Sequence, residues 1–133
     1  FKFQASTNSG SSYGINITST YFVAVHDEAD TSTSLEYNTD KDLAQSTNFQ
    51  NVISSIGNDN DQSGSGTLQL FNPSSTTFVK HFVSRSNRAY SGDYTVDEYM
   101  AGYYNTTSAI DAIQFKFSSG NIDSGDILLY GVN

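Results

Sequence analysis

Apolar residues in this chain come in short alternating stretches, repeatedly cut by Gly, Ser, Asn and Asp, and that rhythm constrains the fold more than any other feature. Tyr13, Ile15 and Ile17 alternate with Gly14, Asn16 and Thr18 and lead into Tyr21–Val25 (YFVAV). Thr67–Phe71 alternates around Leu68 and Leu70, a turn follows at Asn72-Pro73-Ser74, and Thr77–Arg85 (TFVKHFVSR) returns, which predicts a hairpin. Val96–Tyr104 alternates Tyr99, Ala101 and Tyr103 against Glu98, Met100 and Gly102, and Ile110–Phe117 alternates Ile113, Phe115 and Phe117 with Gln114 and Lys116. Period-two alternation places successive side chains on opposite faces of a strand. A short strand is expected at Leu35–Tyr37, another at Phe49–Ile56, whose spacing also fits two helical turns, and a final one at Asp126–Val132 (DILLYGV), paired with Ile110–Phe117 through the turn at Ser118–Asn121. About eight strands, roughly 8 to 15 residues apart with turn residues between them, predict an all-β antiparallel jelly-roll sandwich.

Composition agrees with that architecture. Only 36% of the 133 residues are hydrophobic, but nine Phe and nine Tyr bring large buried areas per side chain. Ser, Thr, Asn and Gly fill much of the remainder and disfavour helix interiors, because their short side chains compete for backbone hydrogen bonds or leave the backbone too free. The first dozen residues (FKFQASTNSGSS) are polar after Phe1 and Phe3, so 1–12 is expected to be a flexible arm or linker remnant and 13–133 the jelly-roll domain. The run Gly57–Gly66 (GNDNDQSGSG) has no apolar residue and predicts a solvated loop. The chain opens at Phe1 and its single methionine is Met100, so it is expected to be a processed product or a piece of a longer protein.

A formal charge of -8 with six Lys or Arg repels phosphate, which argues against nucleic acid as a partner and against docking on anionic membranes. No apolar run is long enough for membrane insertion as a helix. With no cysteine there is neither a thiol nucleophile nor a thiolate metal site.

Several motifs bear on chemistry. Gly10-Ser11-Ser12-Tyr13-Gly14 spells GxSxG, but a nucleophile elbow needs a strand before it and a helix after it, and the residues that follow alternate as a strand. His26 and His81 stand in no catalytic context, and His81 is expected to face solvent or an interface. Asp97 and Glu98 are neighbours on one strand and so point to opposite faces, which defeats a glycosidase pair. Asp59-Asn60-Asp61-Gln62-Ser63-Gly64 matches the first half of an oxygen-ligand calcium loop, while Leu70 stands where the bidentate Glu belongs; Asp59 and Asp61 are left as candidates for a loose surface calcium site, and no other cofactor is implied. Tyr90, Tyr94, Tyr99, Tyr103 and Tyr104 crowd one stretch beside Arg85 and Arg88, a set that serves either a shallow glycan site or core and subunit-interface packing. Lys80, His81, Arg85 and Arg88 form a basic cluster expected to mate with the acidic segment His26–Asp42 of a neighbouring copy, or else to be a solvated strand face.

Two segments, GTLQLFNPSSTTFVKHFVSRS at Gly66–Ser86 and AIDAIQFKFSSGNIDSGDILLYGVN at Ala109–Asn133, resemble bacteriophage virion-surface jelly rolls of the tail-fibre or receptor-binding type. The resemblance rests on Ser119, Gly120, Asn121, Ile122, Ser124 and Gly125, followed by Leu129, Tyr130 and Gly131, and covers about half the chain. It implies a non-enzymatic component of the virion: a homo-oligomer, trimeric in fibres, that contacts a host-surface glycan or other virion proteins. Capsid decoration or a head fibre is the alternative, and a carbohydrate-binding module attached to an enzyme is a third reading.

Overall fold

The computed structural model of the protein describes residues 1–56 and 59–132. Eight strands make two antiparallel sheets: β1 Lys2–Ser6, β2 Ile17–Asp27, β3 Thr33–Tyr37, β4 Gln50–Asn51, β5 Gly64–Leu70, β6 Lys80–Tyr90, β7 Tyr94–Tyr104 and β8 Ala112–Lys116. The larger sheet runs β3-β2-β7-β6-β5 and the smaller β4-β1-β8, with no helix among the described residues. The expected all-β sandwich is therefore the fold. Its β1–β8 pair lies outside the β2–β7 pair in sequence, the nesting that a jelly roll uses, whereas β5, β6 and β7 follow one another as a plain meander.

Alternation decides what lies between the sheets. Ile17, Tyr21 and Val23 of β2, Phe82 of β6 and Val96, Met100 and Tyr104 of β7 are buried, and Phe3 and Ala5 of β1 meet them from the other sheet. Phe3 packs edge-on to Phe82 at 5.2 Å and to Tyr104 at 6.0 Å, an aromatic lock worth about 0.5–1.5 kcal/mol per pair beyond area burial. Gly102 is required at the sheet centre, since a Cβ there would stand 2.5 Å from the Thr18 carbonyl oxygen. The β6–β7 hairpin closes through Gly92 and Asp93, both at positive φ.

Four sequence expectations need correction. Within the expected arm at 1–12, residues Lys2–Ser6 form the central strand of the smaller sheet. Their polar side chains are accommodated because loops cover the outer face: the Gln4 amide donates to the carbonyls of Ile15, Thr47 and Asn48. The strand expected at Phe49–Ile56 shrinks to Gln50–Asn51. Residues 13–16 precede β2 as irregular chain, so that strand starts at Ile17. Asp126–Val132 belongs to no strand, although Gly120 and Gly125 both take the positive φ that their turn predicts. Of the loop expected at Gly57–Gly66, Gly57 and Asn58 lie outside the described residues, and its last residues open β5.

Candidate binding face

Because residues paired across a sheet share a face, the register of the larger sheet assembles one continuous outward row: Tyr37 of β3, Phe22 of β2, Tyr99 of β7, Arg85 of β6 and Thr67 of β5. The residues flanking each on its own strand, such as Tyr21, Val23, Glu98, Met100, Ser84 and Ser86, point inward and are buried. Phe22 and Tyr99 stack with centroids 4.8 Å apart and planes within 3°, and the Arg85 guanidinium covers the other side of Tyr99 at 5.0 Å. Both faces of the Tyr99 ring are thus occupied, leaving its edge and hydroxyl to the outside.

That hydroxyl donates to Asp97 Oδ2 at 2.8 Å. Arg85 donates to the same carboxylate from Nη2 at 2.7 Å and from Nε at 3.2 Å, a forked charge-assisted contact. The Arg85 guanidinium, and after it the Tyr99 hydroxyl, hold the Asp97 carboxyl below the usual carboxylate range, and the Tyr99 phenol is in turn raised by the carboxylate that accepts its proton. Arg85, Asp97, Asn87 and Ser65 border a shallow hollow. Toward β3 the face turns apolar, with Phe22 39%, Tyr37 54% and Leu35 74% exposed. A polar cluster able to donate and accept several hydrogen bonds therefore adjoins a strip of exposed rings and one aliphatic side chain.

The expected tyrosines disperse. Tyr99 belongs to the row just described, and Tyr103 lies on the same face beside His81, ring centroids 5.9 Å apart. Tyr104 is fully buried in the core and out of a ligand's reach, whereas Tyr94 packs partly buried against the core and borders a hollow at the hairpin end, away from the outward row. Tyr90 is exposed at the hairpin end, with the Arg88 guanidinium 4.8 Å over its ring. Arg88 itself points inward to Glu98 and is almost wholly buried. Lys80 is fully buried, its ammonium donating to the carbonyls of Phe78 and Thr106. The expected basic cluster is therefore split by strand parity, with Lys80 and Arg88 inside and His81 and Arg85 outside. Phe22, Tyr37 and Leu35 were missed in the sequence because only the register reveals that they share a face with Arg85 and Tyr99.

The remaining candidates take ordinary positions. Ser12 Oγ accepts from Asn8 Nδ2, and His26 pairs with Asp30 on an exposed turn, so neither group activates the other. Asp59 accepts from the Gln62 amide, and with Asp61, Glu28 and Asp93 it borders a hollow beside the β6–β7 hairpin. Among the described residues no group of three or more His, Cys, Asp or Glu is arranged to hold a metal ion. Asp97 and Glu98 point to opposite sides of their sheet, one outward and one into the core. Comparison of the chain with protein-family models, with curated proteins and with solved structures finds no match.

Proposed function

We propose that the chain is a non-enzymatic recognition domain of a virion surface, of the tail-fibre type, that binds host-surface glycan through the outward face of its five-stranded sheet. The observation that carries this reading is the Tyr37–Phe22–Tyr99–Arg85 row with Asp97 and Asn87 beside it. Sugars present hydroxyls around the rim of each ring and C–H groups on its faces. Asp97 and the Asn87 amide oxygen accept from hydroxyls, Arg85 donates to their oxygens, and Tyr37 offers a ring whose contacts with C–H groups expel water. The sheet backbone fixes these groups before a ligand arrives, so little conformational freedom is lost on binding. The virion assignment rests on the resemblance of the Ser119–Gly131 motif to phage surface jelly rolls, and the same fold supports other roles.

A glycan array probed with the purified domain tests this reading. Binding to a defined glycan set is expected, weakened about tenfold or more by Tyr37→Ala or Asp97→Ala and unchanged by Asp40→Asn, a loop substitution off this row. Absence of binding across the array, or equal binding by all three variants, overturns it.

A further inference from the structure

The two flanks of the sandwich are finished differently. On one flank β4 closes onto β2, where the Ser19 hydroxyl donates to Gln50 Oε1 at 2.6 Å. In the middle Phe3 of β1 meets Phe82 and Tyr104. The order of the smaller sheet then carries β8 to the other flank, over the side of the larger sheet that ends in β5. There the inward residues Ile113 and Phe115 of β8 and Leu68 and Leu70 of β5 are only partly buried, and the outer edge of β8 pairs with no strand among the described residues. An open edge above a half-covered apolar flank is an acceptor for another strand.

The chain also carries an apolar strand sequence with nowhere to go. Ile127, Leu128, Leu129, Tyr130 and Val132 are 55% to 93% exposed. No hydrogen bond of residues 118–132 occurs among the described residues. Single exposed apolar residues are common, but a contiguous run of this size marks an interaction surface. The intervening residues 117–125, with Gly120 at φ +74° and Gly125 at φ +132° in open space, carry this segment clear of its own β8.

We infer that Asp126–Val132 is a donor strand that adds to the free edge of β8 in a second copy of the chain, so that copies are held together by exchanged C-terminal strands. The acceptor chemistry fits. An antiparallel register that sets Asp126 opposite Lys116 brings opposite charges together on the outer face. It also sets Ile127 opposite Phe115 and Leu129 opposite Ile113, the two inward residues that are incompletely covered. β3 offers no such flank, since its residues are mostly exposed on both faces, and β4 is two residues long. The inference does not depend on what the outward face of the larger sheet binds.

Light scattering after size exclusion reads the first consequence: the full chain is expected at a multiple of the monomer mass, and Ile127→Asp/Leu129→Asp, at positions whose exposure leaves the sandwich intact, at the monomer mass. A monomeric full chain, or a double variant that keeps the multimer, overturns the inference. The chain has no cysteine of its own, so mixing Gln114→Cys with Leu128→Cys under mild oxidation reads the second. A covalent dimer of the two different variants is expected. Failure to cross-link, or an internal disulfide in a monomeric chain carrying both substitutions, overturns the placement on a partner's β8.

Discussion

Strands β6 and β7 carry two arginine–carboxylate pairs of almost the same design on opposite sides of one sheet. Arg88 meets Glu98 on the inside and Arg85 meets Asp97 on the outside, each pair being a diagonal step across the same ladder. The inner pair is 9% and 0% exposed, and Glu98 also accepts from the Ser54 amide and hydroxyl and lies 3.2 Å from the Ser86 hydroxyl. It thereby ties the chain that follows β4 to the middle of β7. The outer pair is 66% and 22% exposed, and the Tyr99 hydroxyl donates to the same carboxylate. The difference teaches that charge pairing in this protein has two settings, fixed by strand parity: inside, it fastens the chain that follows β4 to the larger sheet, and outside, it stands open to solvent on the face proposed to bind.

Breaking the inner pair is the most severe test of that distinction. Glu98→Ala leaves the Arg88 cation buried without its partner and strips the acceptor from Ser54, so a loss of about 3–5 kcal/mol is expected in denaturant unfolding. Replacing both members, as Arg88→Met with Glu98→Leu, is expected to recover most of that loss, because no unpaired charge is then left in the core. If Glu98→Ala unfolds at the wild-type midpoint, the inner pair is not a fastener.

Tyrosines sharpen the comparison at alkaline pH. Burial pushes the Tyr104 phenol well above its ordinary value, and its hydroxyl has no hydrogen-bond partner among the described residues. A group whose pKa is raised by folding contributes fully below its unfolded value, about 10 for tyrosine, and that contribution is lost as pH rises above it. Stability is therefore expected to fall by about 1.4 kcal/mol per pH unit above pH 10 on account of Tyr104 alone. Tyr104→Phe is expected to remove that part of the slope while leaving stability at pH 7 unchanged or improved, which urea melts at pH 7 and above pH 10 read directly.

The same parity argument shows what was legible in the sequence. The alternation of β6 and β7 announced strands, and counting by twos from Phe82 already places Lys80 and Arg88 on the core side. Their charge led to the opposite expectation, because a buried Lys or Arg is rare unless it is paired. At the N-terminus, composition misled: Gln4 and Ser6 read as solvent-facing, yet carbonyls on distant loops satisfy Gln4, and no local pattern predicts such partners. At the C-terminus, DILLYGV has a strand pattern, but a strand exists only where an edge receives it, and its own β8 does not. The outward row was illegible for a related reason. Tyr37, Phe22, Tyr99 and Arg85 stand on four separate strands, and only the register of those strands sets them side by side.

The smallest expected effect on stability belongs to the outer pair, and it separates stability from binding. Asp97→Asn preserves shape and one acceptor oxygen while removing the charge that Arg85 grips, and exposed pairs of this kind contribute little to folding because water screens them. Its thermal midpoint at pH 7 is expected to match the wild type within error. Acid reads the pair more finely. Because Arg85 holds the Asp97 carboxyl below its ordinary range, its small stabilising contribution is present above the unfolded value, about 4, and is lost as pH falls through the lower folded value. Arg85 and Tyr99 then lose their common acceptor, so a ligand on this face is expected to be released over the same acid interval while the sandwich stays folded. Titrating binding and the near-ultraviolet dichroism of the packed rings together from pH 7 to pH 2 separates the two events. If both vanish at one pH, and Asp97→Asn shifts neither, the outer pair has no role distinct from the inner one.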